Sequence, residues 1–185
     1  MPEDRDIGVV EARELLSVLY GYEPYMVCTL DAEWNLTACN YAFEQVMDTA
    51  APQLRRPPVN MLRLVLHPRG LADRVHNIGE VHGHMLGQLR SRIRTAPTES
   101  LLALEREISA YRLSHPAMSA PRPALLPVHL WIDSVLLRLS SVAIRLGNGW
   151  DGAAVGPTLE CLLPADDETR RFLLRRGTSG GDVGT

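Results

Sequence analysis

The stretch EPYMVCTLDAEWNLTACNYAFEQVM, residues 23–47, contains the pattern that decides the fold. Its first part predicts two strands, YMVCTLD and NLTACN, which are joined by the short turn AEW into a hairpin. Asn40 follows the second strand at a position where its side chain can cap the start of a helix. Phe43, Val46 and Met47 fall on the buried side of that helix. The fold is therefore expected to open with a hairpin and a helix that follows it directly.

Helical patterns stand on both sides of this stretch. VVEARELLSVLYG, residues 9–21, predicts a short amphipathic helix with Leu15, Leu16 and Leu19 on one stripe. Residues 60–111 also have a helical pattern, which is interrupted at HPRG and at TAPTES. The sequence thus predicts several helices between the hairpin and the rest of the chain.

Strand patterns return in the last third of the chain. LLPVHLWID, SVLLRLSSVAIRLG and PTLECLL predict three more strands, and the helix ADDETRRFLLRR follows them, with acidic residues first and arginines last. The predicted fold class is α+β, a five-stranded antiparallel sheet with a long helical insert between strands 2 and 3. This order of elements resembles the PAS-like sensor fold. We divide the chain into an N-terminal linker or signalling helix (1–20), a PAS-like ligand-binding domain (21–176) and a disordered tail (177–185).

Composition excludes several classes of function. The 19 basic residues are all arginine and are scattered, and the net charge of −3 leaves no basic footprint for nucleic acid. The chain has neither an apolar run long enough for a membrane helix nor the pattern of a signal peptide. We therefore expect a cytoplasmic protein with no membrane partner. Cys28, Cys39 and Cys161 have no CxxC spacing, so they are predicted to be reduced thiols, in the core or in a pocket wall.

The segment HNIGEVHGHMLGQ, residues 76–88, is rich in histidine and raises the question of a metal site. On a continuous helix from residue 70 to residue 93, His76, Glu80 and His84 share one face and could bind zinc or iron. The same face also has the composition of an ordinary solvated helix, and this is the interpretation we favour. No metal site is therefore predicted.

His82 falls on the opposite, apolar face of that helix. Two interpretations remain open, a hydrogen-bonded histidine in the core or a polar group that reaches into a ligand cavity. Haem ligation is less favoured, because no attachment motif such as CxxCH is present. Catalytic motifs are also missing, since there is no GxSxG turn and the acidic residues of PADDET suit a helix start. We predict neither an enzyme nor a cofactor.

Three stretches resemble one known family. They are EPYMVCTLDAEWNLTACNYAFEQVM, PPVNMLRLVLHPRGLADRVHNIGEVHGHMLGQLRSRI and VGPTLECLLPADDETRRFL, and they are similar to the ligand-binding domain of MmyB-like transcription regulators, the sensor half of XRE-type helix-turn-helix proteins. The resemblance implies a PAS-like domain that binds a small, largely apolar ligand, fatty acids being one class. It also implies control of a DNA-binding domain upstream. No helix-turn-helix pattern precedes residue 9, so DNA would be a partner only through a domain that these residues lack.

The predicted function is an effector-binding sensor domain of a transcriptional regulator. Its ligand would be small and hydrophobic, with fatty-acid-like molecules as one candidate class, and the N-terminal helix would transmit occupancy and pack in a homodimer. A protein-interaction module without a ligand and, less favoured, a metal-dependent enzyme are the alternatives. The residues predicted to contact the ligand are Cys28, Phe43, Leu66, Ile78, His82, Met85, Leu130 and Cys161.

Overall fold

The structure is a computed structural model, and it describes residues 13–112, 125–146 and 157–179. The first helix, α1, is described over residues 13–21. The remaining helices are α2 (Tyr41–Met47), α3 (Met61–Leu66), α4 (Ile78–Thr95), α5 (Glu99–Ser109) and α6 (Asp167–Ser179). The strands are β1 (Met26–Leu30), β2 (Leu36–Cys39), β3 (Leu126–Ile132), β4 (Val135–Arg145) and β5 (Thr158–Pro164), and two short 3-10 turns cover Pro52–Leu54 and Ala72–Arg74.

The hairpin and its helix form as the sequence predicts, and one asparagine links their parts. The side chain of Asn40 accepts a hydrogen bond from the backbone N–H of Phe43 at 3.2 Å, so it caps α2 as predicted. The same carboxamide accepts from the N–H of Val27 at 3.1 Å and donates to the carbonyl of Tyr25 at 2.7 Å. Asn40 is fully buried, and these bonds satisfy its polar atoms.

The five strands form one antiparallel sheet in the order β2-β1-β5-β4-β3. The last strand in the chain, β5, lies in the middle and pairs with both β1 and β4. Four helices, α2 to α5, lie between β2 and β3 in the chain, and α3, α4 and α5 form the helical insert. The predicted α+β class, five-stranded sheet and helical insert are therefore confirmed.

The two faces of the sheet carry two separate apolar clusters. The larger one lies between the sheet and the helical insert, with Leu62, Leu64, Leu89, Ile108 and Leu137 fully buried in it. The smaller one lies on the other face, where Leu19 of α1 covers the central strands. Its buried members are Leu19, Val27, Leu159 and Cys161.

The predicted continuous helix from residue 70 to residue 93 is wrong in its first third. The chain makes the 3-10 turn Ala72–Arg74, Val75 forms an isolated bridge with Leu130, and α4 begins only at Ile78. The reason is a set of hydrogen bonds to β3. The side chain of Asn77 accepts from the N–H of His129 at 2.9 Å, and the N–H of His76 donates to the carbonyl of His129 at 2.8 Å.

Several predicted segments fall at the limits of the described residues. The closing helix α6 continues to Ser179, so residues 177–179 are helical rather than part of a disordered tail. Residues 9–12 of the predicted first helix and residues 180–185 lie outside the described residues. Within the described ranges, no helix is both long enough and apolar enough to cross a membrane.

Candidate ligand-binding cavity

A cavity of about 720 Å³ lies between the inner face of the sheet and the helical insert. Its size is within the range of about 300–1,000 Å³ that small-molecule sites in proteins occupy. Residues of β1, β3, β4 and β5 line it on the sheet side, and residues of α2, α3 and α4 line it on the helical side. The apolar part of its wall consists of Met26, Leu30, Trp34, Phe43, Val46, Met61, Val65, Leu71, Val75, Val81, Met85, Leu126, Val128, Leu130 and Leu162.

One stripe of α4 forms a wall along the length of this cavity. Val81, Met85, Gln88, Arg92 and Thr95 follow one another at spacings of three or four residues, so they share a helix face. The stripe covers about 21 Å at the usual helical rise of about 1.5 Å per residue. It changes from apolar to polar along the helix, and the cavity therefore has an apolar end and a polar end.

The polar end contains two arginines that are not paired. Arg92 of α4 is half-buried and Arg145 of β4 is exposed, and both line the cavity. Among the described residues, neither guanidinium makes an ion pair or a side-chain hydrogen bond, and the Nε of Arg92 is buried without a partner. A buried donor without a partner is uncommon in folded proteins. Among the described residues the Nε atoms of Arg55 and Arg92 are in this state, and of the two only Arg92 lines the cavity, where an acceptor could complete its hydrogen bonds.

A carboxyl group lies in the middle strand of the cavity wall. Glu160 of β5 lines the cavity, and the hydroxyl of Ser141 on the neighbouring strand makes a very short hydrogen bond to it. Burial raises the pKa of the Glu160 carboxyl above its usual value, and the bond from Ser141 opposes part of that rise. Sequence analysis missed Glu160, although its position between Leu159 and Cys161 in an alternating strand was a usable signal.

The predicted ligand-contact residues divide into two groups. Phe43, Met85 and Leu130 line the cavity. Cys28, Leu66 and Ile78 belong to the surrounding core but are not part of the wall, and His82 and Cys161 also lie away from the cavity.

His82 points from α4 towards α5 rather than towards the cavity. It is 9% exposed, and its Nε2 lies 3.3 Å from the carbonyl oxygen of Ile108 at the end of α5. The neighbours of His82 on the cavity side are Val81 and Met85. Of the two interpretations that the sequence left open, the structure supports the hydrogen-bonded histidine in the core.

The cysteines are free thiols in or near the sheet. Cys161 lies on the opposite face of β5 from Glu160, in the small cluster under α1. Burial is the main cause that raises the pKa of Cys28 well above its usual value, and it also raises the pKa of Cys161 and brings that of Cys39 to about 11. These thiols therefore stay protonated near neutral pH, which does not suit a nucleophile.

The predicted trio His76, Glu80 and His84 does not form one face, because His76 precedes α4. The ring of His76 lies edge-on to Trp131 with centroids 6.5 Å apart, and the Glu80 carboxylate accepts from the side chain of Asn77 at 3.0 Å. His84 lines the cavity and hydrogen-bonds Gln88 at 2.6 Å. In residues 13–112, 125–146 and 157–179, no group of three or more His, Cys, Asp or Glu residues is arranged to hold a metal ion.

The sheet, the helical insert and the partly open cavity between them are the architecture of an α+β domain that can hold a small molecule. The family model of the MmyB-like transcription regulator ligand binding domain matches residues 12–126, more than half of the chain. The chain therefore belongs to this family, and it is a ligand-binding sensor domain of the transcription-regulator type. The match ends at the start of β3, so the resemblance seen in β5 and α6 stays a prediction. No curated protein matches the chain.

Proposed function

We propose that this domain binds a small hydrophobic molecule in the cavity and reports its presence to the DNA-binding part of a cytoplasmic transcriptional regulator. The observation that carries the proposal is the open volume of about 720 Å³, which has a mainly apolar wall inside an otherwise well-packed domain. DNA contact would come from a helix-turn-helix domain outside this sequence. Binding, not catalysis, is the proposed activity.

A fatty-acid-like ligand suits the shape of the wall. The stripe from Val81 to Thr95 extends about 21 Å along α4, which favours an elongated molecule over a compact one. Wall residues such as Met26, Met61 and Met85 have flexible side chains that adapt to a chain of variable length.

Extraction of the purified protein, followed by mass spectrometry, tests this proposal. We expect a co-purified amphiphile, or saturable binding of added dodecanoate by the stripped protein. Val81→Phe adds bulk inside the cavity and should lower binding at least tenfold, whereas Val18→Phe adds the same group on α1, where the side chain is 49% exposed, and should leave binding unchanged. No extracted molecule and no binding to the wild type would favour the alternative, a protein-interaction module without a ligand.

The route from the cavity to α1 passes through two shared wall residues. Met26 and Val46 line the large cavity and also a smaller one of about 240 Å³, which Tyr20 at the end of α1 lines on its other side. A ligand that binds one arrangement of these side chains better than another shifts the population of α1 conformations. Hydrogen exchange with and without dodecanoate should therefore change in residues 13–21, and unchanged protection there would contradict this route.

A homodimer through α1 is part of the proposal, but with a different set of residues from the predicted stripe. Leu19 is fully buried against its own sheet, so it cannot contact a second copy. Leu16 and Tyr20 lie one turn apart on the same side of α1 and remain 36% and 54% exposed. We expect light scattering to give a dimer that Leu16→Glu dissociates, while Leu102→Glu on α5 does not; a wild-type monomer at high concentration would exclude the dimer.

A further inference from the structure

We infer that the polar end of the cavity is an anion subsite, in which Arg92 and Arg145 bind the carboxylate or phosphate head group of an amphiphile whose chain occupies the apolar end. This inference rests on the proposed function and deepens it, because it assigns the head-group residues and the orientation of the ligand. Neither arginine was among the residues that sequence analysis selected.

The first argument is the contrast between these two arginines and the seven that form ion pairs. Arg74 and Arg94 also make no ion pair among the described residues, but they do not line the cavity. Seven arginines of the described chain form ion pairs with carboxylates, and Arg63 binds Glu107 through two nitrogens at 2.8–3.1 Å. Arg92 and Arg145 have no such partner within the same residues, although both stand where a bound molecule would touch them. A guanidinium that is partly removed from water recovers its lost hydrogen bonds only from an acceptor, and a bidentate oxyanion is the best one. The seven paired arginines are Arg55, Arg63, Arg90, Arg106, Arg138, Arg170 and Arg176.

The second argument concerns the two carboxyl groups in the cavity wall, Asp31 and Glu160. Asp31 is occupied by its own turn, where its carboxylate accepts from the backbone N–H groups of Glu33 and Asn35, both at 2.8 Å. Glu160 is hydrogen-bonded to the hydroxyl of Ser141, and burial raises the pKa of its carboxyl. Neither carboxyl forms an ion pair with a cavity arginine among the described residues, so the positive charge at this end is left for a ligand.

The third argument is that the two arginines belong to one end of the domain. Arg145 is paired in register with Thr158 of β5, and Thr158 is paired with Leu30, the last residue of β1. The turn that follows β1 is linked to the start of α5, because the hydroxyl of Ser100 donates to the Glu33 carboxylate at 3.1 Å. Because α5 follows α4 directly, the C-terminal end of α4 lies near the same ends of the strands as Arg145. Exposed Gln88, Ser91 and Thr95 surround Arg92 there, which gives a head group access to water.

Calorimetric titration with three probes of equal chain length tests the subsite. We expect dodecanoate and dodecyl phosphate to bind the wild type at least tenfold more tightly than dodecanol, because a hydrogen bond to a charged group contributes more than a neutral one. The relative affinity of the two anions then distinguishes a carboxylate from a phosphate head group. Arg92→Gln and Arg145→Gln should each lower the affinity for the anions about tenfold or more and leave dodecanol binding unchanged.

Arg94→Gln is the matched control, because Arg94 lies on the same helix, is exposed and is not part of the cavity wall. It should change no affinity. Equal binding of dodecanol and dodecanoate by the wild type, or equal losses for both probes in Arg92→Gln, would overturn the anion subsite while leaving a hydrophobic cavity in place. Failure of all three probes to bind would instead contradict the proposed function itself.

Discussion

The two faces of strand β5 show how one strand serves both stability and binding. Leu159 and Cys161 point to the small cluster under α1 and are 3% and 2% exposed. Their neighbours Thr158, Glu160 and Leu162 point to the other face, line the cavity and are only half-buried. The closed face obtains its stability from complete packing, whereas the open face leaves volume unfilled and keeps polar groups that a ligand can contact.

The largest expected effect comes from making the same substitution, Leu→Ala, on the two faces of β5. Leu159→Ala removes a side chain from a closed cluster, so it should lower the free energy of unfolding by about 3 kcal/mol. Leu162→Ala enlarges a space that is already open, so it should lower the free energy of unfolding by only about 1 kcal/mol. Denaturant unfolding of both variants measures the difference. Equal losses would mean that the cavity face is as tightly packed as the other one.

A second comparison uses the two sides of α4. His82→Ala deletes the contact with Ile108 on the side away from the cavity, and it should cost about 1–2 kcal/mol of stability. Dodecanoate affinity should not change once the fraction of folded protein is taken into account. A loss of affinity without a loss of stability would place His82 in the ligand site after all.

The smallest effect concerns pH and the carboxyl of Glu160. Burial raises the pKa of Glu160, so the folded protein holds this proton over a range in which the unfolded chain has already lost it. The stability that Glu160 contributes is therefore fully present when the pH is below the pKa of this carboxyl in the unfolded chain. It is lost as the pH rises through the higher pKa of the same carboxyl in the folded protein. Glu160→Gln should remove this decline, so that its stability relative to the wild type increases from acidic to neutral pH. Parallel curves of unfolding free energy against pH would show that Glu160 is not in a desolvated site.

Local patterns predicted much of the fold, since the elements depend on neighbouring residues. The hairpin, the Asn40 cap and the five strands all follow from alternation and from side chains that bond nearby backbone. The start of α4 was not predictable in this way, because the bond from His129 to Asn77 joins residues that are 52 positions apart. Such a contact leaves no periodic signal in either segment.

The cavity wall was predictable only in part, for a related reason. Phe43, Met85 and Leu130 were selected because they are apolar, and apolar residues on the insert face of the sheet or on α4 have a good chance of meeting an open space. Gln88 and Arg92 share the α4 stripe with Met85, but they are polar, and polar positions on a helix usually mark its solvated face, so no sequence signal assigns them to a cavity. In β5 alternation places Glu160 and Cys161 on opposite faces, but both faces are covered, so the sequence does not tell which of the two faces meets the cavity.

The central place of β5 also determines when the domain can assemble. The β1–β2 and β3–β4 hairpins share no ladder with each other, and residues 158–164 provide the strand that joins them. During synthesis these residues are made after the other four strands, so both hairpins keep an unpaired edge until residues 158–164 have been translated. The part of the cavity wall that β5 contributes is therefore the last to be made, and the cavity is incomplete before β5 has joined the sheet.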